Sequence, residues 1–362
     1  MATTSRPSPR RVSLHPGRTR LEDSALPEKH KAALKKLGYI TLEQVASAAQ
    51  IADTRLNKYL NADIKKMLAS LPKSPVPAQV SAAVRLARYR FGAIMSSPYK
   101  AVMPKLDLPA AAHIPASRSA PPAAPTALGS MPQVNLIPGM QPVRDQGQRG
   151  TCVAHAVSAC AEYALSGGQP LDLSRQFLYW NCKEHDGQPD QEGTLVSVAM
   201  PLLITDGVCL ESIWPYNPNP VPGNESQDPP PNGAAADAAT REVPHVQQLN
   251  AQSVSDVKDQ LAANHPVAVA LVVYDYCWFA DEIRSSGDVT MPFPDDVSNE
   301  GHAVCIVGYE DLPDETELGG GRFIIRNSWD GLWGVNCQYG QGYGTIPYAY
   351  LTTYCMEAYS IA

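Results

Sequence analysis

The chain has 362 residues, 44% of them hydrophobic, which is enough for two modest domains or for one large domain with an extension. It contains no run of about 20 apolar residues, so no membrane span is expected. The basic amino terminus is not followed by an apolar stretch, so no classical secretion signal is expected either, and the protein would be cytoplasmic or exported by a route without one.

Charge is divided unevenly along the chain. Residues 1–130 carry 20 Lys and Arg against 7 Asp and Glu, a balance of +13, whereas residues 131–362 carry 9 against 29, a balance of -20. A basic segment of this kind is expected to meet an acidic partner, and the rest of the same chain is the nearest candidate. Nucleic acid or an anionic membrane surface would satisfy the same argument.

Composition and periodicity divide the basic part into three segments. Residues 1–24 are rich in Arg, Ser and Pro and predict a mobile basic arm. Residues 25–95 have helical periodicity and predict a small regulatory helical unit. Residues 96–130 are too rich in Ala and Pro to build a core and predict a linker.

Four short helices are expected in the helical unit. The first spans about 27–38, and the second follows Thr41 and Gln44, which have the spacing of a capping box. The others are expected at about 61–71 and at 78–95, the last with a basic surface. The motif "LKKLGYITLEQVA" resembles a helix-hairpin-helix, so nucleic-acid binding and protein docking or regulation both stay open.

The pattern changes to mixed α and β in residues 131–362. Small apolar residues in 151–165 predict a buried helix. Three β-branched runs are too short for buried helices and predict strands, at 265–274, 302–309 and 322–329. The Pro- and Asn-rich stretch 217–239 predicts a long surface loop or a crossing between lobes, and 348–362 predicts a closing strand.

All eight cysteines follow residue 150 and none belongs to a CxxC pair, so neither a zinc cluster nor another metal or cofactor site is expected. Cys152 alone could be a small buried residue, a metal ligand or a nucleophile. It stands where a buried helix begins, and unpaired N–H groups at a helix start favour a thiolate. A nucleophile would also need an imidazole partner.

His302 has the best context among the eight histidines, because it opens a strand in "NEGHAVCIVGYE". His155 lies three residues from Cys152 and is expected to pack inward. Asn327, at the end of another strand, is suited to hold one tautomer of His302, and Trp329 could shield that bond from water. Gln146 lies six residues before Cys152 and could turn back to face an oxyanion.

Three motifs in this part resemble the papain family of cysteine peptidases: "PVRDQGQRGTC", "GHAVCIVGYE" and "FIIRNSWDGLWG". Further similarity lies in "LDLSRQFLYWNC" and "TDGVCLESIWPYN". The motifs occur in the family's order and with its separations, and the resemblance covers residues 131–362. It implies an α+β, two-lobed papain-like fold, with a helical lobe, a β-barrel-like lobe and a substrate cleft between them.

The resemblance also implies roles. Cys152 would attack a peptide carbonyl, and His302, oriented by Asn327, would protonate the leaving amine. Gln146 would be the oxyanion donor. Residues implied at the substrate cleft are Gly193, Thr194, Gly301 and Trp329. A peptide or protein would be the substrate, with no cofactor.

Some residues depart from the family pattern. Arg149 occupies the position of a family cysteine, Val153 replaces an aromatic residue, and the pairing of Cys182 with Cys209 is doubtful. The amino-terminal part lacks the family's usual propeptide motif, yet its position and charge suggest an inhibitory or docking role. It is expected to be an autoinhibitory segment, a targeting or partner-binding module, or a passive extension. The alternative to a peptidase is a non-catalytic papain-fold scaffold that works through its basic helical module.

Overall fold

The computed structural model of the chain describes residues 18–51, 62–69, 71, 91–94, 134–293, 298, 300–313 and 316–362. The helices are α1 (Glu28–Lys36), α2 (Leu42–Ile51), α3 (Ala62–Ala69), α4 (Cys152–Leu165), α5 (Arg175–His185), α6 (Val196–Thr205), α7 (Ala234–Ala238), α8 (Val254–Ala262), α9 (Asp275–Trp278), α10 (Asp281–Ser286) and α11 (Tyr348–Tyr354). The strands are β1 (Val134–Asn135), β2 (Val246–Gln248), β3 (Val267–Val273), β4 (Glu300–Asp311), β5 (Gly321–Arg326), β6 (Tyr343–Pro347) and β7 (Cys355–Ile361). Short 3-10 segments lie at Ile137–Gly139, Ala239–Arg241 and Thr316–Leu318.

One antiparallel sheet forms the β lobe, in the order β2-β7-β3-β4-β5-β6, with β1 paired to β4. β3 and β4 are almost wholly buried, which explains their continuous β-branched sequences. The three predicted strands are confirmed as β3, β4 and β5. β5 ends one residue before Asn327, so this side chain emerges where the sheet stops.

The second lobe is helical, and its central helix α4 packs against both β3 and β4. α5 and α6 cover α4 from the other side. The small residues of α4, such as Ala156 and Cys160, are buried and let the helix approach the sheet closely. The fold is therefore α+β and two-lobed, as the sequence predicted. None of the described helices is long and apolar enough to cross a bilayer.

The carboxy-terminal segment differs in part from the expected closing strand. Its first half is α11, which begins directly after Pro347, a residue that favours a helix start. Its second half is β7, which pairs with β3 and β2. The strand prediction is therefore correct for residues 355–361 and wrong for residues 348–354.

The amino-terminal helices lie against the β lobe, where α2 packs on α9 and α10. Arg18 pairs with Glu282 at 2.9 Å, and the Met291 N–H donates to the Leu37 carbonyl at 2.8 Å. Leu21 is buried, so residues 18–24 belong to this packed unit and not to the predicted arm. Residues 1–17 and the predicted linker 96–130 lie outside the described residues.

The fourth predicted helix, over 78–95, is wrong for residues 91–94. These residues are extended, with Ala93 bridged to Thr194 in parallel orientation. The backbone groups of this segment bond to Thr194 and Gly301 instead of to one another, so they make no helical hydrogen bonds. Residues 78–90 and 95 lie outside the described residues.

Arg149 anchors the loop after residue 216 without a disulfide. All eight cysteines lie in the described part of the chain and each is a free thiol. The buried Arg149 guanidinium donates to Gln176 Oε1 at 2.7 Å and to the carbonyls of Asn217 and Glu225 at 3.0 Å each. This loop, predicted over 217–239, becomes regular only at α7.

Replacing Arg149 by Leu should lower the free energy of unfolding by about 2–3 kcal/mol, because buried acceptors lose their donor. Arg144, whose side chain is 38% exposed in its ion pair with Asp172, is the matched control. Arg144→Leu should cost about 1 kcal/mol or less. Urea unfolding under reducing conditions measures both, and equal losses would contradict an anchoring role for Arg149.

Candidate functional site

Cys152 is the first residue of α4 and is completely buried. Its Sγ accepts a hydrogen bond from the Ala303 N–H at 3.3 Å and another from the Gly92 N–H. Burial raises the pKa of the Cys152 thiol to about 11 despite these donors. Burial therefore opposes the thiolate that the N–H groups at the helix start favour.

His302 and Asn327 are hydrogen-bonded, with Nε2 2.8 Å from Oδ1. The same oxygen accepts from the Ser328 N–H at 2.8 Å, so the amide oxygen faces the ring and Nε2 carries the proton. A neutral ring then leaves Nδ1 as the acceptor, and Nδ1 is buried with no hydrogen bond within the described residues. Burial lowers the pKa of His302 to about 4, which the Asn327 bond opposes.

Aromatic side chains enclose the imidazole. Trp329 stacks on His302 with ring centroids 4.3 Å apart, and its shielding of the His302–Asn327 bond from water stays a prediction. Trp278 meets the same ring edge-on at 5.7 Å, and sequence reasoning missed it. The available signal was the position of Trp278, five residues beyond the end of β3. Because β3 pairs antiparallel with β4, the end of β3 lies beside the start of β4, close to His302.

Gln146 is buried between the two lobes. Its Oε1 accepts from the Ser328 hydroxyl at 2.6 Å, and its amide nitrogen donates to the Arg149 carbonyl at 2.8 Å. Its backbone N–H also donates to the Ser328 carbonyl at 2.9 Å. These bonds hold the Gln146 amide between the residue after Asn327 and the turn that leads to Cys152.

The backbone of residues 92–94 joins the two predicted cleft walls. Thr194 donates its N–H to the Gly92 carbonyl at 2.9 Å and accepts from the Ile94 N–H at 3.0 Å. The Ala93 N–H donates to the Gly301 carbonyl at 3.1 Å. Thr194 and Gly301, two of the eight predicted site residues, therefore bond to this segment through their backbone groups.

Residues 92 and 93 approach both cleft walls so closely that each wall needs a glycine at the point of contact. A Cβ on Gly193, which has φ of +94°, would lie 2.6 Å from the Gly92 oxygen. A Cβ on Gly301 would lie 2.1 Å from the Ala93 oxygen. Buried Lys183 supports the first wall by donating to the Gly193 carbonyl at 2.8 Å.

Phe91 and Gly92 cover the site, and sequence reasoning missed this. Phe91 lies 6.0 Å from the His302 ring and 6.2 Å from the Trp329 ring, between centroids. Gly92, in the last turn of the predicted helix over 78–95, was the available signal that the helix would not extend through residues 91–95, since glycine is unfavourable within a helix. His155 packs inward as predicted, with Nδ1 2.9 Å from the Thr151 carbonyl oxygen. The described residues contain no group of three His, Cys, Asp or Glu suited to a metal ion.

Comparisons agree on one family. The profile described as "Papain family cysteine protease" matches residues 135–348, more than half of the chain. An uncharacterised peptidase C1-like protein of Acanthamoeba polyphaga mimivirus is 27% identical over 218 residues, 57% of this chain and 64% of that protein. Pro-cathepsin H of Mus musculus is 27% identical over 201 residues, 54% of this chain and 55% of that protein, so the chain spans little more than half the length of these relatives. The structure of xylellain, a cysteine protease from Xylella fastidiosa, matches with a TM-score of 0.54 and 27% identity, over 64% of this chain and 86% of that one.

Because the pKa of His302 is about 4 in the folded protein and near 6.5 when exposed, the unfolded chain binds the extra proton between these pH values. His302 should therefore stabilise the fold above pH 6.5, and this contribution should fall by about 1.4 kcal/mol per pH unit down to pH 4. His302→Asn should make the pH dependence of unfolding shallower by that slope. Urea unfolding from pH 7.5 to 4.5 measures it, with His245→Asn at a half-exposed site as control. Identical slopes in wild type and His302→Asn would contradict the burial effect.

Proposed function

The chain belongs to the papain family of cysteine proteases, and from this premise we propose that it is a cysteine peptidase that its own amino-terminal region inhibits. Cys152 is the nucleophile, and His302 with Asn327 carries the proton. The observation that carries the proposal is the hydrogen bond from His302 Nε2 to Asn327, because it leaves Nδ1 as a proton acceptor beside the strand that touches the Cys152 sulfur.

The reaction begins when the cleft opens and a peptide carbonyl reaches Cys152. Nδ1 of His302 takes the thiol proton, and the sulfur forms a bond to the carbonyl carbon. The Gln146 amide and the Cys152 N–H stabilise the oxyanion. The C–N bond then breaks as His302 gives its proton to the leaving amine, which leaves a thioester. Water adds to the thioester with His302 as base, and the acid product leaves as the proton returns to Cys152.

Endopeptidase action is favoured by the path of the covering segment. Residues 91–94 are internal to the chain and pass through the cleft between Thr194 and Gly301. Chain continues from both ends of this segment, so the cleft must be open at both ends to hold it. A cleft of this kind accepts the middle of a polypeptide and does not require a free terminus.

Inhibition is supported by the direction in which the covering segment faces Cys152. Gly92 presents its N–H to the sulfur, while its carbonyl bonds to the Thr194 N–H. The sulfur therefore faces a hydrogen-bond donor and not a carbonyl carbon, so the segment covers the nucleophile without being a substrate. In this proposal residues 25–95 are the inhibitory unit and residues 131–362 the peptidase domain, and the Arg18–Glu282 pair helps to hold them together.

Gly92→Val should open the cleft. A Cβ at this position would lie 1.7 Å from the Gly150 carbonyl oxygen, which the covering segment cannot accommodate. We expect alkylation of Cys152 by an epoxysuccinyl inhibitor, followed by intact mass, to become at least about tenfold faster than in wild type, because the open state is then more populated. Ala62→Val adds bulk at an exposed position of the same region and is the control. Equal rates in wild type and Gly92→Val would remove the inhibitory role and leave the peptidase.

In the opened Gly92→Val protein, Cys152→Ala should abolish both alkylation and hydrolysis of a casein-derived peptide mixture. Gln146→Ala should lower kcat by about 100-fold to 1000-fold, because one oxyanion donor is lost. Gln169→Ala, at an exposed glutamine, is the matched control and should leave kcat unchanged. Hydrolysis that survives Cys152→Ala would overturn the proposed mechanism.

A further inference from the structure

Two side chains of α5, Tyr179 and Lys183, hold the backbone of the cleft wall at Gly193. The Tyr179 hydroxyl accepts from the Gly193 N–H at 3.0 Å, and Lys183 Nζ donates to the Gly193 carbonyl at 2.8 Å. Both side chains are buried, and they lie four residues apart, on one face of the helix. Both backbone polar groups of Gly193 are therefore bound by α5.

The backbone of the next residue faces the cleft instead. Thr194 donates its N–H to the Gly92 carbonyl at 2.9 Å and accepts from the Ile94 N–H at 3.0 Å. The peptide bond between Gly193 and Thr194 is trans, so its carbonyl and its N–H point in opposite directions. The bond from Lys183 to the carbonyl therefore sets the direction in which the Thr194 N–H enters the cleft.

Glycine at position 193 makes such support necessary. A Cβ there would lie 2.6 Å from the Gly92 oxygen, so the wall has no room for a side chain. Glycine also has the freest backbone of all residues, and Gly193 has a φ of +94°. Because the residue itself does not fix the neighbouring peptide planes, contacts from other residues must fix them.

Lys183 also joins the two ends of the loop between α5 and α6. Its Nζ donates to Asp186 Oδ2 at 2.8 Å, at the start of the loop, and to the Gln191 carbonyl at 2.7 Å, near the end. With the bond to Gly193, all three N–H groups of the ammonium are used on this loop. Residues 189–191 are exposed, so burial does not hold this part of the loop in place.

We propose that Lys183 and Tyr179 are positioning residues for peptide binding, which orient the peptide bond between Gly193 and Thr194 so that Thr194 binds the substrate backbone. The inference rests on the proposed function and adds two residues outside the cleft to it. A backbone contact of this kind is made equally to the bound peptide and to the transition state. Loss of Lys183 should therefore raise KM with little change in kcat.

Two alkylating reagents with the same reactive group separate this role from the reactivity of the thiol. In the full-length Gly92→Val protein, a dipeptidyl chloromethyl ketone binds the cleft through its peptide before it alkylates Cys152, whereas chloroacetone has no peptide to bind. Adding Lys183→Met should slow the dipeptidyl reagent at least about fivefold and leave the chloroacetone rate unchanged, because hydrogen bonds to the peptide are lost. Mass spectrometry of the Cys152 peptide measures both rates. Lys258→Met, at a lysine paired with Asp311, is the matched control and should change neither rate.

Tyr179→Phe decides the question if circular dichroism shows that Lys183→Met does not fold. It removes one hydroxyl and should slow the dipeptidyl reagent at least about twofold. Tyr348→Phe removes a hydroxyl that donates to Asp311 and should not slow it. With a single casein-derived peptide as substrate, folded Lys183→Met protein should show KM raised at least about threefold and kcat within about twofold of the Gly92→Val protein.

An unchanged dipeptidyl rate in the folded variants would overturn the positioning role and leave the peptidase. An equal loss of rate with both reagents would also overturn it, because Lys183 would then act on the thiol or on the whole fold. The expected alkylation pattern without any peptide hydrolysis would instead overturn the proposed function and keep the positioning role. Failure of both reagents to alkylate Cys152 in the Gly92→Val protein would overturn both.

Discussion

The packing of α4 against β4 is the constraint on which the site depends. Cys152 and His302 lie 150 residues apart in the chain, on a helix of one lobe and a strand of the other. Two contacts set the separation of α4 and β4. The Cys152 sulfur accepts a hydrogen bond from the Ala303 N–H at 3.3 Å, and the buried sulfurs of Cys160 and Cys305 lie 3.6 Å apart. Both use small side chains, so the helix approaches the strand as closely as backbone permits. A larger residue at any of these positions would separate the two reacting groups.

The covering segment affects chemistry as well as access. With it in place, Cys152 and His302 are both buried, and this burial raises the pKa of the thiol to about 11 and lowers the pKa of the imidazole to about 4. A thiolate and an imidazolium form only where contact with water, or their attraction for each other, offsets the free-energy cost of burying the two charges. Removal of residues 91–94 would admit water and substrate together. Under the proposed function, the segment would thus inhibit Cys152 by desolvation in addition to steric exclusion.

The sequence predicted those parts of the structure that are encoded locally. Three strands and the buried helix follow from apolar runs, and Cys152, His302 and Asn327 stand at the boundaries of these elements. Residues 91–94 could not be predicted in this way, because the hydrogen-bond partners that hold them extended lie about 100 and 200 residues further along the chain. Local periodicity favoured a helix there, and tertiary hydrogen bonds outweighed it.

Other features were missed for the same reason. In the sequence, Arg149 is a departure from the family pattern. Only the folded loop shows that its guanidinium takes the place of a disulfide by donating hydrogen bonds to two backbone carbonyls and to one side-chain amide oxygen. Trp278 lies in an aromatic run, and its contact with His302 depends on the antiparallel pairing of β3 with β4. Both residues act through partners that fold onto them from distant parts of the sequence, and a single sequence contains no record of such pairs.

The shape of the cleft decides where selectivity can arise. Its walls at Gly193 and Gly301 leave no room for a Cβ, so they contact the covering segment through backbone alone. Backbone contacts are the same for every peptide and cannot distinguish one side chain from another. On the imidazole side the walls are instead aromatic rings, with Phe279 at the half-exposed opening. The aromatic contacts that the segment makes therefore lie on the imidazole side, where the chain's own Phe91 stands beside His302.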